Sequence, residues 1–108
     1  MGYGTLGEFE HLVLLAVAHL GHDAYGVSVA TFIEERTRRS VNQAATYLTL
    51  RRLEEKELVE SSIGDPTPER GGRAKRTFAI TERGTAQLQD KRREILAMWH
   101  GLPEGLGG

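Results

Sequence analysis

Seven residues near the middle of the chain, Arg70-Gly71-Gly72-Arg73-Ala74-Lys75-Arg76, hold much chemistry in little length. Four cations sit at or just past the tip of a loop stiffened by Pro66 and Pro68 and loosened by Gly64, Gly71 and Gly72. The flanks, Leu58-Val59-Glu60-Ser61-Ser62-Ile63 and Thr77-Phe78-Ala79-Ile80, read as short strands, so the loop is a hairpin tip. A narrow cationic finger suits a polyanion: it can lie along phosphates or enter a minor groove. A solvated hairpin is also glycine-rich, so the loop alone does not decide.

The segment before it adds a second candidate surface. Asn42 is a good N-cap for a helix running to about Glu57, with Thr46, Leu50 and Leu53 on its inward face and Leu58 closing its end. What remains outside is Gln43, Ala44, Tyr47, Leu48 and Arg51, spaced as one helical face. That stripe has no acidic residue and only one charge. Gln43 could pair bidentately with adenine, Ala44 or Leu48 could touch a thymine methyl, and Arg51 could reach guanine or phosphate. Tyr47 could pack in part and still offer its hydroxyl to phosphate. Arg52, Glu54, Glu55 and Lys56 suit ion pairs with the Glu34–Arg39 end of the preceding helix or with solvent.

Three other helices must position these groups. Thr5-Leu6-Gly7-Glu8 fits a capping box for a first helix ending near Leu20, before Gly21-His22-Asp23. Its apolar residues cover more than one stripe: Phe9, Val13, Ala16, Val17 and Leu20 on one side, Leu12, Leu15 and Ala18 toward another. One core needs only one stripe, so the second points to another subunit. A second helix over roughly Tyr25 to Thr37 buries Val29, Phe32 and Ile33. A last helix opens at Thr81 and extends to about Trp99, with Leu88, Ile95, Met98 and Trp99 near one face and Lys91 and Arg92 interrupting it. Three helices, a hairpin and a helix make a mainly α chain with a small β-hairpin: a winged helix-turn-helix with a C-terminal dimerisation helix. Residues 1–80 form the DNA-binding unit, its first helix shared with the dimer interface; 81–100 form the dimerisation helix, and 101–108 a frayed tail.

Composition narrows the functions. The 108 residues suggest one domain, and without cysteine there is no disulfide framework and no cysteine-based zinc site. No apolar run approaches the roughly 20 residues of a membrane span, and no signal peptide opens the chain, so a cytoplasmic location is expected. The net charge is -1, yet residues 1 to 35 contain no lysine or arginine. A near-neutral protein can bind DNA if its cations converge on one face. His11, His19, His22 and His100 and scattered carboxylates form no phosphate loop, nucleophile elbow or His-Glu-x-x-His pattern. An enzyme, a metal centre and a cofactor are therefore not expected.

The chain resembles PadR-family transcriptional regulators, a bacterial winged-helix group. The resemblance rests on Leu12-Val13-Leu14-Leu15, Ala24-Tyr25-Gly26-Val27, Tyr47 with Leu50-Arg51-Arg52-Leu53-Glu54-Glu55-Lys56, Pro68-Glu69-Arg70-Gly71-Gly72-Arg73-Ala74-Lys75-Arg76, and Thr81-Glu82-Arg83-Gly84. It covers roughly Leu6 to Trp99 through the order and spacing of these motifs. It implies a homodimer, usually a repressor, on an inverted-repeat operator in double-stranded DNA, with the first and last helices at the dimer interface. That interface would take in Phe9, Val13, Leu88, Ile95, Met98 and Trp99. DNA contacts would fall on Tyr25, Asn42, Gln43, Ala44, Tyr47 and Arg51, and on Arg70, Arg73 and Lys75 of the wing. Some relatives sense aromatic compounds through aromatic side chains on the last helix, which would make Trp99, with Phe9 and His100 nearby, a site for a small aromatic effector. Two positions depart from the family pattern: Glu57 replaces a usual glycine at the end of the third helix, and Thr77-Phe78 replaces an aromatic pair. A winged helix that docks proteins without binding DNA is the alternative; it would need neither the acid-free stripe nor the cationic tip.

Overall fold

In a computed structural model of the protein, residues 6–64 and 75–106 are described. The elements run α1 (Glu8–Leu20), a 3-10 turn (Gly21–Asp23), α2 (Gly26–Thr37), α3 (Gln43–Glu55), β1 (Val59–Ile63), β2 (Arg76–Ile80) and α4 (Glu82–Trp99). The strands pair antiparallel with Ser61 opposite Phe78 and Ile63 opposite Arg76. This is the expected winged-helix order, with α4 leaving the far side of the hairpin. Among the described residues no helix is long and apolar enough to cross a membrane.

The core lies where α1, α2 and α3 meet the inner face of the hairpin. Leu6, Val13, Leu14, Val17, Ala24, Val29, Ile33, Leu50, Leu53, Leu58, Val59 and Phe78 are buried there. Alternation along the strands puts Val59, Ser61 and Phe78 on this face and leaves Glu60, Ser62 and Ala79 outside. The hairpin is fastened to the helices by its backbone: the Phe78 N–H donates to the Ala24 carbonyl at 2.8 Å. Phe32, expected inside, is only half-buried, because it stacks at the surface against His19 and under Arg36.

Helix ends are set by identifiable groups. Asn42 caps α3, its Oδ1 accepting from the Ala45 N–H at 2.8 Å. At the other end, Leu58 N–H donates to the Leu53 carbonyl and Glu57 N–H to the Glu54 carbonyl, a Schellman arrangement. Its left-handed position is Glu57, at φ 65°, so the side chain that departs from the family pattern bears a cost of about 1 kcal/mol that glycine would avoid. Thr81 caps α4 by accepting from Gly84 N–H at 3.0 Å while its hydroxyl donates to the Glu57 carbonyl at 2.8 Å. A Cβ at Gly84 would lie 2.2 Å from the Leu58 carbonyl oxygen, which is why this Thr-x-x-Gly turn needs its glycine.

The start of α1 differs from the expectation. The N-cap is Gly7, and the carboxylate that closes the turn is Glu10, accepting from the Gly7 N–H at 3.0 Å; Thr5 lies outside the described residues. Leu6 is buried in the core, which draws the chain inward and moves the helix start past Thr5.

Candidate nucleic-acid interface

α3 presents its polar stripe outward as its periodicity predicts. Asn42, Gln43, Ala44, Tyr47, Leu48 and Arg51 are all exposed, while Thr46, Thr49, Leu50 and Leu53 are buried behind them. The two buried threonines do not strain the core, since each hydroxyl donates back to a backbone carbonyl, Thr46 to Asn42 and Thr49 to Ala45. Leu48 is 62 % exposed, so most of this apolar side chain lies outside the core.

Side chains from α2, the hairpin and α3 gather along one edge of this stripe. Tyr25 is the N-cap residue of α2, held by its N–H donating to Ser28 Oγ at 3.0 Å. Lys75, at the base of the wing, places its ammonium 4.0 Å from the centre of the Tyr25 ring, a cation–π geometry. Tyr47 leans edge-on against Phe78 with ring centres 6.2 Å apart, so its ring packs while its hydroxyl stays outside. That hydroxyl accepts from Arg51 at 3.3 Å. The Arg51 hydrogen bond, with the charges of Arg76 and Arg51, holds the Tyr47 phenol below its ordinary range against the opposing effect of burial. Tyr25, Tyr47, Arg51 and Lys75 are thus brought together; Arg70 and Arg73 lie outside the described residues.

Arg76, counted among the loop cations but not among the expected DNA contacts, also joins this group. It shares the inner face of β2 with Phe78, so alternation alone aims it at α3 rather than at solvent. It donates to Ser61 Oγ at 2.9 Å and lies beside the Tyr47 hydroxyl.

The charged end of α3 is paired differently from expectation. Lys56 meets Glu10 of α1 at 3.0 Å, with both side chains mostly buried, and Arg52 adds its charge to the same carboxylate. Glu54 takes Arg51 at 3.1 Å and Ser61 Oγ at 2.6 Å. The end of α2 is not their partner because Glu34 is engaged by the Val41 N–H and Arg39 approaches Glu8.

The residues expected at a subunit interface divide in two. Val13 has no exposed surface: it faces the subunit's own core, and Phe9 is half-buried against that core. One α1 stripe is therefore internal, and the outer stripe runs instead through His11 and Leu15. With Leu88, Gln89, Arg92, Ile95 and Leu96 these line a groove of about 380 Å³ between α1 and α4. Burial in this groove, and then the charge of Lys91, lowers the His11 pKa. Beyond it Met98 and Trp99 are exposed, as is His100. His19 sits on another side, stacked on Phe32, and among the described residues no group of acidic and histidine side chains could hold a metal ion.

Comparison with known proteins agrees with this architecture. A protein of Lysinibacillus sphaericus, known as uncharacterized protein X, is 32% identical over 100 residues, which span 91% of this chain and 84% of that one. The crystal structure of a PadR family transcription regulator from hypervirulent Clostridium difficile R20291 superposes with a TM-score of 0.68 at 28% identity, covering 85% of this chain and 91% of that one. A PadR-like transcription factor from Bacteroides fragilis shares the fold at a TM-score of 0.71 and 19% identity, over 83% and 82% of the two chains. The description "Transcriptional regulator PadR-like family" matches residues 14–90, most of the chain, with α2, α3 and both strands inside the match. The chain belongs to the PadR-like family of transcriptional regulators, and is a DNA-binding regulator rather than an enzyme.

Proposed function

We propose that the protein is a cytoplasmic repressor that binds an inverted-repeat operator as a homodimer. In this reading residues 1–80 bind DNA, and residues 81–100 carry the dimer contact together with α1. α3 lies in the major groove, where Gln43, Ala44 and Arg51 face base edges, while Asn42, Tyr25 and Tyr47 approach phosphates. The wing, with Arg70, Arg73 and Lys75, follows the adjacent backbone. The observation that carries the reading is the convergence of Tyr25, Tyr47, Arg51 and Lys75 beside an outward helical stripe without a carboxylate. A solvated helix face would normally mix both signs of charge.

The dimer contact is supported by the groove between α1 and α4 and by Ile95, Leu96, Met98 and Trp99, which the subunit leaves uncovered. Trp99, 54 % exposed, supports a second reading of the same surface: a planar aromatic effector stacks on it between subunits and favours a dimer geometry that no longer fits the operator. Tryptophan fluorescence against a panel of planar aromatics separates the two; no quenching and unchanged DNA affinity leave Trp99 as packing.

Binding to mixed-sequence duplex DNA as a function of salt tests the central reading. Counterion release predicts a steep fall in affinity as salt rises. A docking module would bind DNA poorly at every salt concentration, and that outcome would overturn the proposal.

A further inference from the structure

Five side chains close a polar ring between the recognition helix and both strands of the wing. Arg51 Nε meets Glu54 Oε1 at 3.1 Å, and Glu54 Oε2 accepts from Ser61 Oγ at 2.6 Å. Ser61 Oγ accepts in turn from Arg76 at 2.9 Å, Arg76 lies beside the Tyr47 hydroxyl, and that hydroxyl accepts from Arg51 at 3.3 Å. Glu54 is the only acid in this ring, and in the DNA-binding reading it sits beside an arginine that meets the polyanion.

A carboxylate there is unexpected if affinity alone mattered. It repels phosphate and neutralises part of the positive charge that would attract DNA of any sequence. Its geometry suggests what is gained. Arginine has a long, flexible stem, and an unrestrained Arg51 could swing to the nearest phosphate and add affinity without information. Glu54 grips the Nε edge of the guanidinium and Tyr47 receives one of its terminal nitrogens, so the group is fixed in direction along the outward stripe. The Ser61 bond ties the same carboxylate to the wing.

We propose that Glu54 is a specificity-determining positioning residue: it holds Arg51 toward the base edges and away from the phosphates, lowering affinity for all DNA while raising the preference for the right sequence. The inference rests on the DNA-binding reading given above. Glu54 acts through Arg51, and no contact between Glu54 and DNA is required.

The test uses the full chain, a duplex selected by the unmodified protein from a randomised pool, and a scrambled duplex of equal length. Glu54→Gln should bind the scrambled duplex about threefold to tenfold more tightly, with a salt slope steeper by about 1. The preference for the selected duplex over the scrambled one should shrink about tenfold, the scale of one good base contact. In an Arg51→Ala background the same Glu54→Gln change should leave that preference unmoved. Ser61→Ala, which cuts the tether on the strand side, should shrink the preference in the same direction but less, and serves if Glu54→Gln fails to fold by circular dichroism. A parallel loss of affinity for both duplexes would mark Glu54 as a structural brace and overturn the inference, as would an effect that persists without Arg51. If the unmodified protein binds no duplex at any salt, the functional reading falls and takes this inference with it. If it binds but the variants keep its sequence preference, only the inference falls.

Discussion

In the body of the molecule Val13, Leu14, Val29, Leu50 and Leu53 have no exposed surface at all, whereas on the outer half of α4 Ile95, Leu96, Met98 and Trp99 are 44 %, 50 %, 77 % and 54 % exposed. In the body, three helices and a hairpin cover one another, and among the described residues no buried side-chain nitrogen or oxygen lacks a hydrogen-bond partner. On α4 the only buried residue is Gly84, at the joint with the hairpin. Hydrophobic free energy already realised within the body contributes to folding; on α4 it is available to association.

The comparison can be broken most directly by truncating one side chain in each region. Leu14→Ala should cost about 2–5 kcal/mol in urea unfolding, because it opens a cavity in a closed core. Leu96→Ala should cost the isolated subunit well under about 1 kcal/mol; equal losses would mean that the two regions are not distinct. Leu15→Asp combined with Ile95→Asp should leave the fold intact by circular dichroism yet yield a monomer in sedimentation, because each aspartate would bring an unpaired charge into the contact between subunits. An unmodified protein that sediments as a monomer would remove the dimer from the proposal. Aspartate at Val13 would be no such test, since it would unfold the subunit.

Smaller effects sharpen the picture of the proposed DNA-binding side. Gln43→Ala should change which sequence is preferred by about 1–3 kcal/mol of discrimination, while Lys75→Ala should weaken all sequences and reduce the salt slope by about 1. An unchanged preference after Gln43→Ala would mean that another face of α3 enters the groove. Glu57→Gly should raise stability by at most about 1 kcal/mol by relieving a left-handed side chain, partly offset by the exposed contact of Glu57 with Arg83. A lower thermal midpoint would show that this contact outweighs the backbone.

The smallest effect concerns acid. Burial raises the Glu10 pKa, but the Gly7 N–H, the Lys56 hydrogen bond and charge, and Arg52 together bring it below the ordinary value. Its ionised form therefore stabilises the fold fully above the ordinary glutamate pKa of about 4.3, and that contribution disappears as pH falls through the lower folded value. Thermal midpoints of the unmodified protein and Glu10→Gln should differ at neutral pH and converge in strong acid. A gap that widens in acid would reverse the sign.

How much of this was legible in the chain follows from the range of each interaction. The two faces of α3, its Asn42 cap and the Thr81 turn are written within a few residues, and periodicity and capping rules read them correctly. The left-handed Glu57 was visible only as a departure from the family pattern, since nothing in its own chemistry favours that backbone. Lys56 with Glu10, Glu54 with Ser61 and Arg76 with Tyr47 depend on which elements face each other, and local rules assigned the charged end of α3 to α2 or to solvent instead. Val13 was misplaced for a related reason: an unbroken apolar run shows that a helix has two apolar sides, but not which side the subunit covers itself.

The joint at the foot of α4 has a mechanical consequence. Thr81 binds α3's terminal turn, and Gly84 presses against the Leu58 carbonyl, so the helix leaves the hairpin as a rod clamped at its base and flanked by α1. At 18 residues the rod is about 27 Å long. A tilt of about 10° at the clamp would carry its far end roughly 5 Å, more than the rise of one base-pair step at about 3.4 Å. In the proposed dimer, a partner gripping that far end would therefore have long leverage over the spacing of the two proposed DNA-binding surfaces. A methyl group at position 84 would meet the Leu58 carbonyl oxygen at 2.2 Å, so the joint itself would have to shift and the far end of the rod would shift with it.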